Sequence, residues 1–195
     1  KYFNLSLVQL MIGDYKSALE NFEWRFIKTE PLSLHGNPTI PRKNESKFIQ
    51  GEKILVVGEQ AMGDIVKYMR YIIVLKRKGV DVNFCTREKI HSLIKASGID
   101  PNPLTPEEGS LVKEGSWLPL MTLLKYFEVS PQNPIINTPY ISSEQILIKK
   151  WKDILSKENK PIIALNWQGS KQIEETHYKG RSFPLEKFSK ILEKN

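Results

Sequence analysis

The sequence contains one cysteine, Cys85, and no apolar run as long as a membrane-spanning segment. A single thiol forms no internal disulfide, and its apolar neighbours favour a small buried strand residue over a nucleophile. A membrane-spanning helix needs about 20 consecutive apolar residues. The first residues also lack the apolar core and the cleavage site of a secretory signal. These absences exclude a disulfide scaffold and predict a cytoplasmic chain without a transmembrane segment.

A continuous basic tract is also missing, although the formal net charge is +7. Lysines alternate with acidic residues through most of the chain. The densest cluster, Lys76-Arg77-Lys78, ends a predicted helix, where cations complement the helix dipole. His35, His91 and His177 lie far apart and show no spacing of metal ligands. The charge pattern therefore predicts a solvated surface and no nucleic-acid partner, and the histidine spacing predicts no metal site. We also expect no cofactor.

Apolar residues recur at helical intervals through residues 1–28, with one interruption at Gly13-Asp14. Glycine suits a tight turn between helices, and Asp14 is a good capping residue for the second helix. The small Ala18 and the larger Phe22 then resemble the packing positions of a tetratricopeptide repeat. One such hairpin does not bury its apolar face alone, so it is either the last repeat of an array or a cap on the next domain. Residues 29–50, rich in proline and polar residues, predict a linker.

Residues 51–142 alternate between short β-branched runs and helical patterns. The run 53–57 predicts a buried strand, followed by a helix over 64–78, a second strand over 80–85 and a helix over 87–96. This order predicts an α/β fold, a Rossmann-like doubly wound parallel sheet. Residues 101–119 predict a stretch rich in loops, with a short strand near 117–121. Residues 143–195 predict a helix to residue 155, a buried strand over 162–167 and the start of a second α/β domain.

The segment from Gly58 to Asp64 connects the first strand to the first helix. Its Gly-x4-Gly spacing imitates a phosphate-binding loop, but Asp64 stands where such a loop needs a lysine, and a carboxylate repels phosphate. The three-glycine dinucleotide fingerprint is absent as well. Two interpretations of Asp64 remain open: a helix N-cap, or a general base that removes a proton from a substrate hydroxyl.

Several short motifs, in the same order along the chain, resemble bacterial tetratricopeptide-repeat proteins that carry a domain of glycosyltransferase family 9, which is heptosyltransferase-like. In the hairpin, the resemblance is carried by Gly-Asp-Tyr at 13–15 and Glu-x-Arg at 23–25. In the next domain it is carried by the loop at 58–64 and by Pro-Leu-x-x-Leu at 119–123. Two later motifs also match: Asn-Trp-Gln-Gly-Ser at 166–170 and Arg-Ser-Phe-Pro-Leu at 181–185.

This resemblance implies a GT-B architecture and an inverting, metal-independent transfer of a sugar from a nucleotide-sugar to an acceptor hydroxyl. It makes Asp64 the catalytic base. It implies that Gly63 lets the acceptor approach the backbone and that Glu59, Gln60 and Lys67 orient it. The implied acceptor is a carbohydrate, a lipid-linked sugar or a protein, and the implied location is the cytoplasm, including the periphery of the inner membrane.

The resemblance also places the donor phosphates against the second domain, with backbone N–H groups and cations as ligands at Gly169, Ser170, Lys179 and Arg181. The same loop contains Glu174-Glu175, a departure from the family that dilutes its positive charge. A solvated loop with a basic rim is the alternative for these residues. Because further nucleotide-binding motifs are not in the sequence, we expect little activity from this chain alone.

Two other functions are compatible with the pattern. The hairpin is a candidate protein-interaction module beside a vestigial transferase domain. The chain is also a candidate nucleotide-binding protein of another class, which predicts phosphate bound at residues 58–63.

Overall fold

The computed structural model describes residues 1–135, 138–169, 174–175 and 182–192. The chain forms two compact units, Lys1–Ile148 and Lys149–Asn195. The first unit contains a helical hairpin and a small α/β layer built on one sheet.

The amino-terminal hairpin consists of α1 (Tyr2–Ile12) and α2 (Tyr15–Phe22). Gly13 adopts a left-handed conformation with φ 85°, which ends α1 and reverses the chain. The Asp14 carboxylate accepts a hydrogen bond of 3.2 Å from the Ser17 N–H and so caps α2. The predicted hairpin, its turn glycine and its cap are all confirmed. A 3-10 turn, Glu23–Phe26, follows directly.

The sheet has three parallel strands in the order β2-β1-β3, where β1 is Lys53–Val57, β2 is Asp81–Cys85 and β3 is Ser116–Pro119. The central strand is buried from its second residue onward, as the β-branched run predicts. These features confirm a mixed α/β fold with a small parallel sheet. The Rossmann-like and GT-B assignments remain predictions.

Five helices flank the strands in the first unit: α3 (Met62–Tyr68), α4 (Arg70–Arg77), α5 (His91–Ala96), α6 (Pro106–Leu111) and α7 (Thr122–Tyr126). The predicted helix over 64–78 begins two residues earlier than expected and is divided at Met69. A 3-10 turn, Glu88–Ile90, precedes α5.

Helix α6 lies in the stretch that the sequence pattern predicts as loop. Its start is a reciprocal cap: the Thr105 N–H donates to the Glu108 carboxylate at 2.8 Å, and the Glu108 N–H donates to the Thr105 hydroxyl at 3.2 Å. Pro106 follows at the first helical position, where its missing N–H costs nothing. The run Thr-Pro-Glu-Glu therefore carries the signal for this helix.

One apolar core joins the hairpin to the sheet. Leu19 and Phe22 of α2 belong to the same buried cluster as Ile54 and Val56 of β1 and Leu118 of β3. The hairpin therefore packs on the following α/β layer, and its assignment as the last repeat of an array stays a prediction. Nothing in this packing identifies it as a tetratricopeptide repeat.

Residues 143–195 form the predicted helices but not the predicted strand. Helix α8 spans Gln145–Leu155, as expected, and α9 spans Glu186–Leu192, just after Pro184. Residues 162–167 do not form a strand, however, and Ile162 and Ile163 are 53% and 69% exposed. A strand needs a neighbour that pairs with it along its length. Among the described residues of the second unit, the run receives one such backbone bond, from the Phe183 N–H to the Trp167 carbonyl at 3.2 Å, and one bond does not make a ladder. A short apolar run alone is therefore insufficient to form a strand.

In the described part of the chain, no helix is long and apolar enough to cross a bilayer.

Candidate functional site

The strand order of the sheet reverses between β1 and β3, and ligands of open α/β folds bind at the carboxyl ends of strands at such a reversal. Two segments meet there. One is the loop 58–61 after β1, which leads into α3. The other is the turn 120–121 after β3, which leads into α7. The residues of these segments form the candidate site.

A buried ion pair occupies the back of this site. The Arg25 guanidinium, from the turn after the hairpin, donates from Nε to Glu59 Oε2 at 2.7 Å and from Nη2 to Glu59 Oε1 at 2.9 Å. Both side chains are 0% exposed. Glu59 Oε1 also accepts the Met121 N–H at 2.9 Å. The pair thus joins the hairpin, the end of β1 and the end of β3.

The remaining N–H groups of Arg25 are satisfied as well. Nη1 donates to Glu23 Oε1 at 2.8 Å and to the Phe22 carbonyl at 3.1 Å, and Nη2 donates to the Thr122 hydroxyl at 3.2 Å. Burial by itself lowers the pKa of Arg25, but the hydrogen bonds and charges of Glu59 and Glu23 outweigh it, so the pKa is raised. The guanidinium remains charged inside the protein.

This geometry revises the predicted role of Glu59. Because its two oxygens are held by Arg25 and the Met121 N–H, and because it has no exposed surface, Glu59 offers no contact to an acceptor. We therefore describe it as a structural residue that holds the site together. Sequence reasoning missed its partner, Arg25. The signal was the Glu-x-Arg motif of the hairpin, whose arginine was not matched to a buried carboxylate.

A second buried group supports the loop after β1. Gln60 has φ 64°, an unusual conformation for a residue with a side chain. The His35 Nε2 lies 2.8 Å from the Gln60 carbonyl oxygen and therefore donates to it, and His35 Nδ1 accepts from the Thr86 hydroxyl at 2.9 Å. A Cβ at Gly58 would lie 2.8 Å from the Thr86 hydroxyl, so only glycine fits there. His35, which the sequence suggested was incidental, fixes this strained turn.

Asp64 lies in the first turn of α3, at the third helical position. Its Oδ2 accepts from the Ala61 N–H at 3.4 Å, a long and weak bond. The side chain is half-buried. The N-cap interpretation is therefore wrong in position, since Ala61 is the capping residue, although Asp64 does reach back to it. The reason is that α3 begins two residues before the predicted start.

The other predicted acceptor residues lie near Asp64. Gly63 is exposed, and a Cβ built on it would have no neighbour within 4 Å, so open space lies beside it. Lys67 follows Asp64 by three residues, on the same side of α3, and is exposed. Gln60 is half-buried, with its amide 3.6 Å from the Met121 sulfur. The structure thus brings Gln60, Gly63, Asp64 and Lys67 together at the surface.

The predicted donor site is only partly described. Ser170, Lys179 and Arg181 lie outside the described residues. The Gly169 N–H donates to the Ser182 hydroxyl at 2.7 Å. Ser182 in turn donates its own N–H to Glu174 at 3.0 Å. The Gly169 N–H is therefore engaged within the chain, and its role with a diphosphate remains a prediction.

The buried thiol is not a nucleophile. Cys85 is 1% exposed, and burial raises its pKa to about 12. Within the described ranges, no group of three or more histidine, cysteine or acidic side chains is placed to hold a metal ion.

Comparisons of the chain with protein-family models, curated proteins and solved structures find no match.

Proposed function

We propose that this chain is the acceptor-binding part of an inverting glycosyltransferase, with Asp64 as its general base. One observation carries the proposal. A half-buried carboxylate stands in the first turn of the helix that follows the central strand, at the carboxyl edge of the sheet, and its one hydrogen bond from a described residue is the weak bond from Ala61. Such a carboxylate is available to accept a proton from a hydroxyl.

In the proposed reaction, the Asp64 carboxylate takes the proton of the acceptor hydroxyl while the acceptor oxygen forms a bond to the anomeric carbon of the donor sugar. The bond between that carbon and the nucleotide phosphate breaks, and the nucleotide leaves with the electron pair. Attack from the face opposite the phosphate inverts the anomeric configuration. Gly63 and Lys67 lie beside Asp64 for contact with the acceptor, and Gly169, Ser170, Lys179 and Arg181 remain the proposed donor contacts.

The supports behind the loop fit this role. Catalytic groups work best when their positions are fixed before the substrate arrives. The Arg25–Glu59 ion pair fixes Glu59 in the loop, and a hydrogen bond from His35 holds the carbonyl of the next residue, Gln60. The two loop residues that these contacts hold, Glu59 and Gln60, precede Asp64 by five and four residues.

The test uses the full-length gene product, with Asp64→Asn compared with Asp81→Asn. Asp81 is an exposed carboxylate at the amino end of β2, the opposite edge of the sheet. Asparagine keeps the shape of Asp64 but does not accept the proton, so we expect kcat to fall by about 10²–10⁴. The assay measures nucleotide release from a panel of nucleotide-sugars offered with sugar acceptors. Asp81→Asn should be unaffected, and full turnover by Asp64→Asn would reject the assignment.

A second candidate function, a protein-interaction module, is favoured by one observation. The outward side of α1 exposes large apolar side chains, including Val8 at 53%, Met11 at 87% and Ile12 at 74%. Contiguous exposed apolar surface often marks protein contacts. This alternative predicts no turnover of any nucleotide-sugar, together with an association in sedimentation experiments that Val8→Glu abolishes.

A further inference from the structure

A cavity lies between the helical hairpin and the α/β layer, beside the turn that follows β3. Its volume is about 380 Å³. Leu10, Leu19 and Phe22 line it from the hairpin, and Tyr71, Met121 and Leu124 line it from the other side. The walls are therefore almost entirely apolar.

The size of the cavity limits what it holds. Small-molecule pockets in proteins occupy roughly 300–1,000 Å³ and are lined mostly by apolar and aromatic side chains, with a few polar groups that orient the ligand. A cavity at the lower end of this range accommodates one short apolar chain.

The rim of the same cavity is cationic. Lys67 and Arg70 both line it, and no aspartate or glutamate is among the described residues that do. Arg70 Nε donates to the Lys67 carbonyl at 2.7 Å, and its guanidinium stacks 4.7 Å from the centre of the Tyr140 ring. These contacts hold the guanidinium in place and leave its Nη groups with no hydrogen-bond partner among the described residues. Such a planar fork binds carboxylate or phosphate oxygens well.

The neighbouring cavity provides a contrast within the same protein. It shares part of the α2 wall, but its two lysines, Lys16 and Lys125, are accompanied by Glu20 and Glu128. Its charges therefore balance. Of these two cavities, the one bounded by Lys67 and Arg70 combines apolar walls with a positive rim that no described carboxylate of its lining neutralises.

We propose that this cavity binds a single-chain amphipathic anion, with its apolar chain between the hairpin and the α/β layer and its phosphate or carboxylate at Lys67 and Arg70. Apolar burial provides the affinity, and the two cations select the charge of the head group. The proposal does not depend on the transfer reaction, since it concerns binding alone.

The test uses isothermal titration calorimetry on the full chain with octyl phosphate, kept below the concentration at which it forms micelles. The matched neutral probe is octyl tetraethylene glycol ether, and inorganic phosphate is the third ligand. We expect octyl phosphate to bind about fivefold to tenfold more tightly than the neutral probe, the increment expected for one or two partly exposed charge contacts. Inorganic phosphate should give no measurable heat. Equal affinity for the two octyl compounds would overturn the proposal.

Two variants with matched controls locate the site. Lys67→Glu should weaken octyl phosphate about tenfold and leave the neutral probe unchanged, whereas Lys89→Glu, an exposed lysine in the turn before α5, should change neither. Leu10→Glu places a carboxylate in the wall and should also weaken octyl phosphate, whereas Met11→Glu, on an exposed neighbour, should not. Thermal unfolding confirms that each variant is folded. If both Lys67→Glu and Leu10→Glu bind octyl phosphate as the wild type does, the proposal is wrong.

Discussion

Replacing Glu59 with leucine should destabilise the protein severely, because it leaves the Arg25 guanidinium buried without its main partner. Removal of one member of a buried ion pair costs about 3–5 kcal/mol. Two details of the structure bear on the value. Glu23 still accepts from Arg25 at 2.8 Å, which reduces the loss. The Met121 N–H loses its acceptor, which adds about 1–3 kcal/mol. We therefore expect a loss of about 4 kcal/mol.

A loss of this size is large beside a total stability of about 5–15 kcal/mol. For a chain of this length it corresponds to a fall in Tm of roughly 8–16 °C. Urea unfolding followed by far-ultraviolet circular dichroism measures the change in the free energy of unfolding. The control is Glu114→Gln, which breaks the exposed Lys53–Glu114 pair and should have no measurable effect.

The double variant Arg25→Met/Glu59→Leu distinguishes the free-energy contribution of the ion pair from that of packing the two side chains. Since it buries no unpaired charge at either position, it should cost less than the sum of the two single variants by about 1–3 kcal/mol. A cost below about 1 kcal/mol for Glu59→Leu, or strict additivity in the double variant, would refute the role of this pair.

Two further predictions concern buried groups with shifted pKa values. Because burial raises the pKa of Cys85 to about 12, its thiol should react with Ellman's reagent at pH 8 only over hours, and within seconds in urea; rapid reaction of the folded protein would contradict the burial. Burial lowers the pKa of His35 below its ordinary value of 6.5. The unfolded chain then takes up the proton first as the pH falls, so His35 stabilises the fold above pH 6.5 and loses this contribution below it. Urea unfolding between pH 8 and pH 5 should show a shallower decline for His35→Gln than for the wild type, and identical declines would exclude this linkage.

The sequence predicted those elements whose local signals agree with their packing. The turn at Gly13 and the cap at Asp14 are decided within a few residues, and the run at 53–57 has neighbouring strands on both sides. The run at 162–167 is also mostly apolar, yet whether it forms a strand depends on strand partners elsewhere in the chain. Periodicity and composition do not report such partners. Helix α6 was missed for another reason, because its capping signal lies in a stretch dominated by proline.

The candidate site was predictable in part. The order of strand, glycine loop and helix placed Asp64 at the carboxyl edge of the sheet, and the structure has it there. The supports were not predictable, since Arg25 and Glu59 are 34 residues apart and His35 lies 25 residues before Gln60. Long-range pairing of this kind requires the tertiary fold: the Glu-x-Arg motif marks Arg25 as a candidate but does not indicate which carboxylate it pairs with, and His35 has no such motif.

The buried link between Arg25 and Glu59 also decides where a usable piece of this protein begins. Residues 51–142 carry every strand that the structure describes and would be the natural choice for cloning by secondary structure alone. Such a piece would leave the Glu59 carboxylate buried without Arg25, and the core would lack Leu19 and Phe22. Anyone who trims or transplants this sheet must keep the first 28 residues, because they complete its interior.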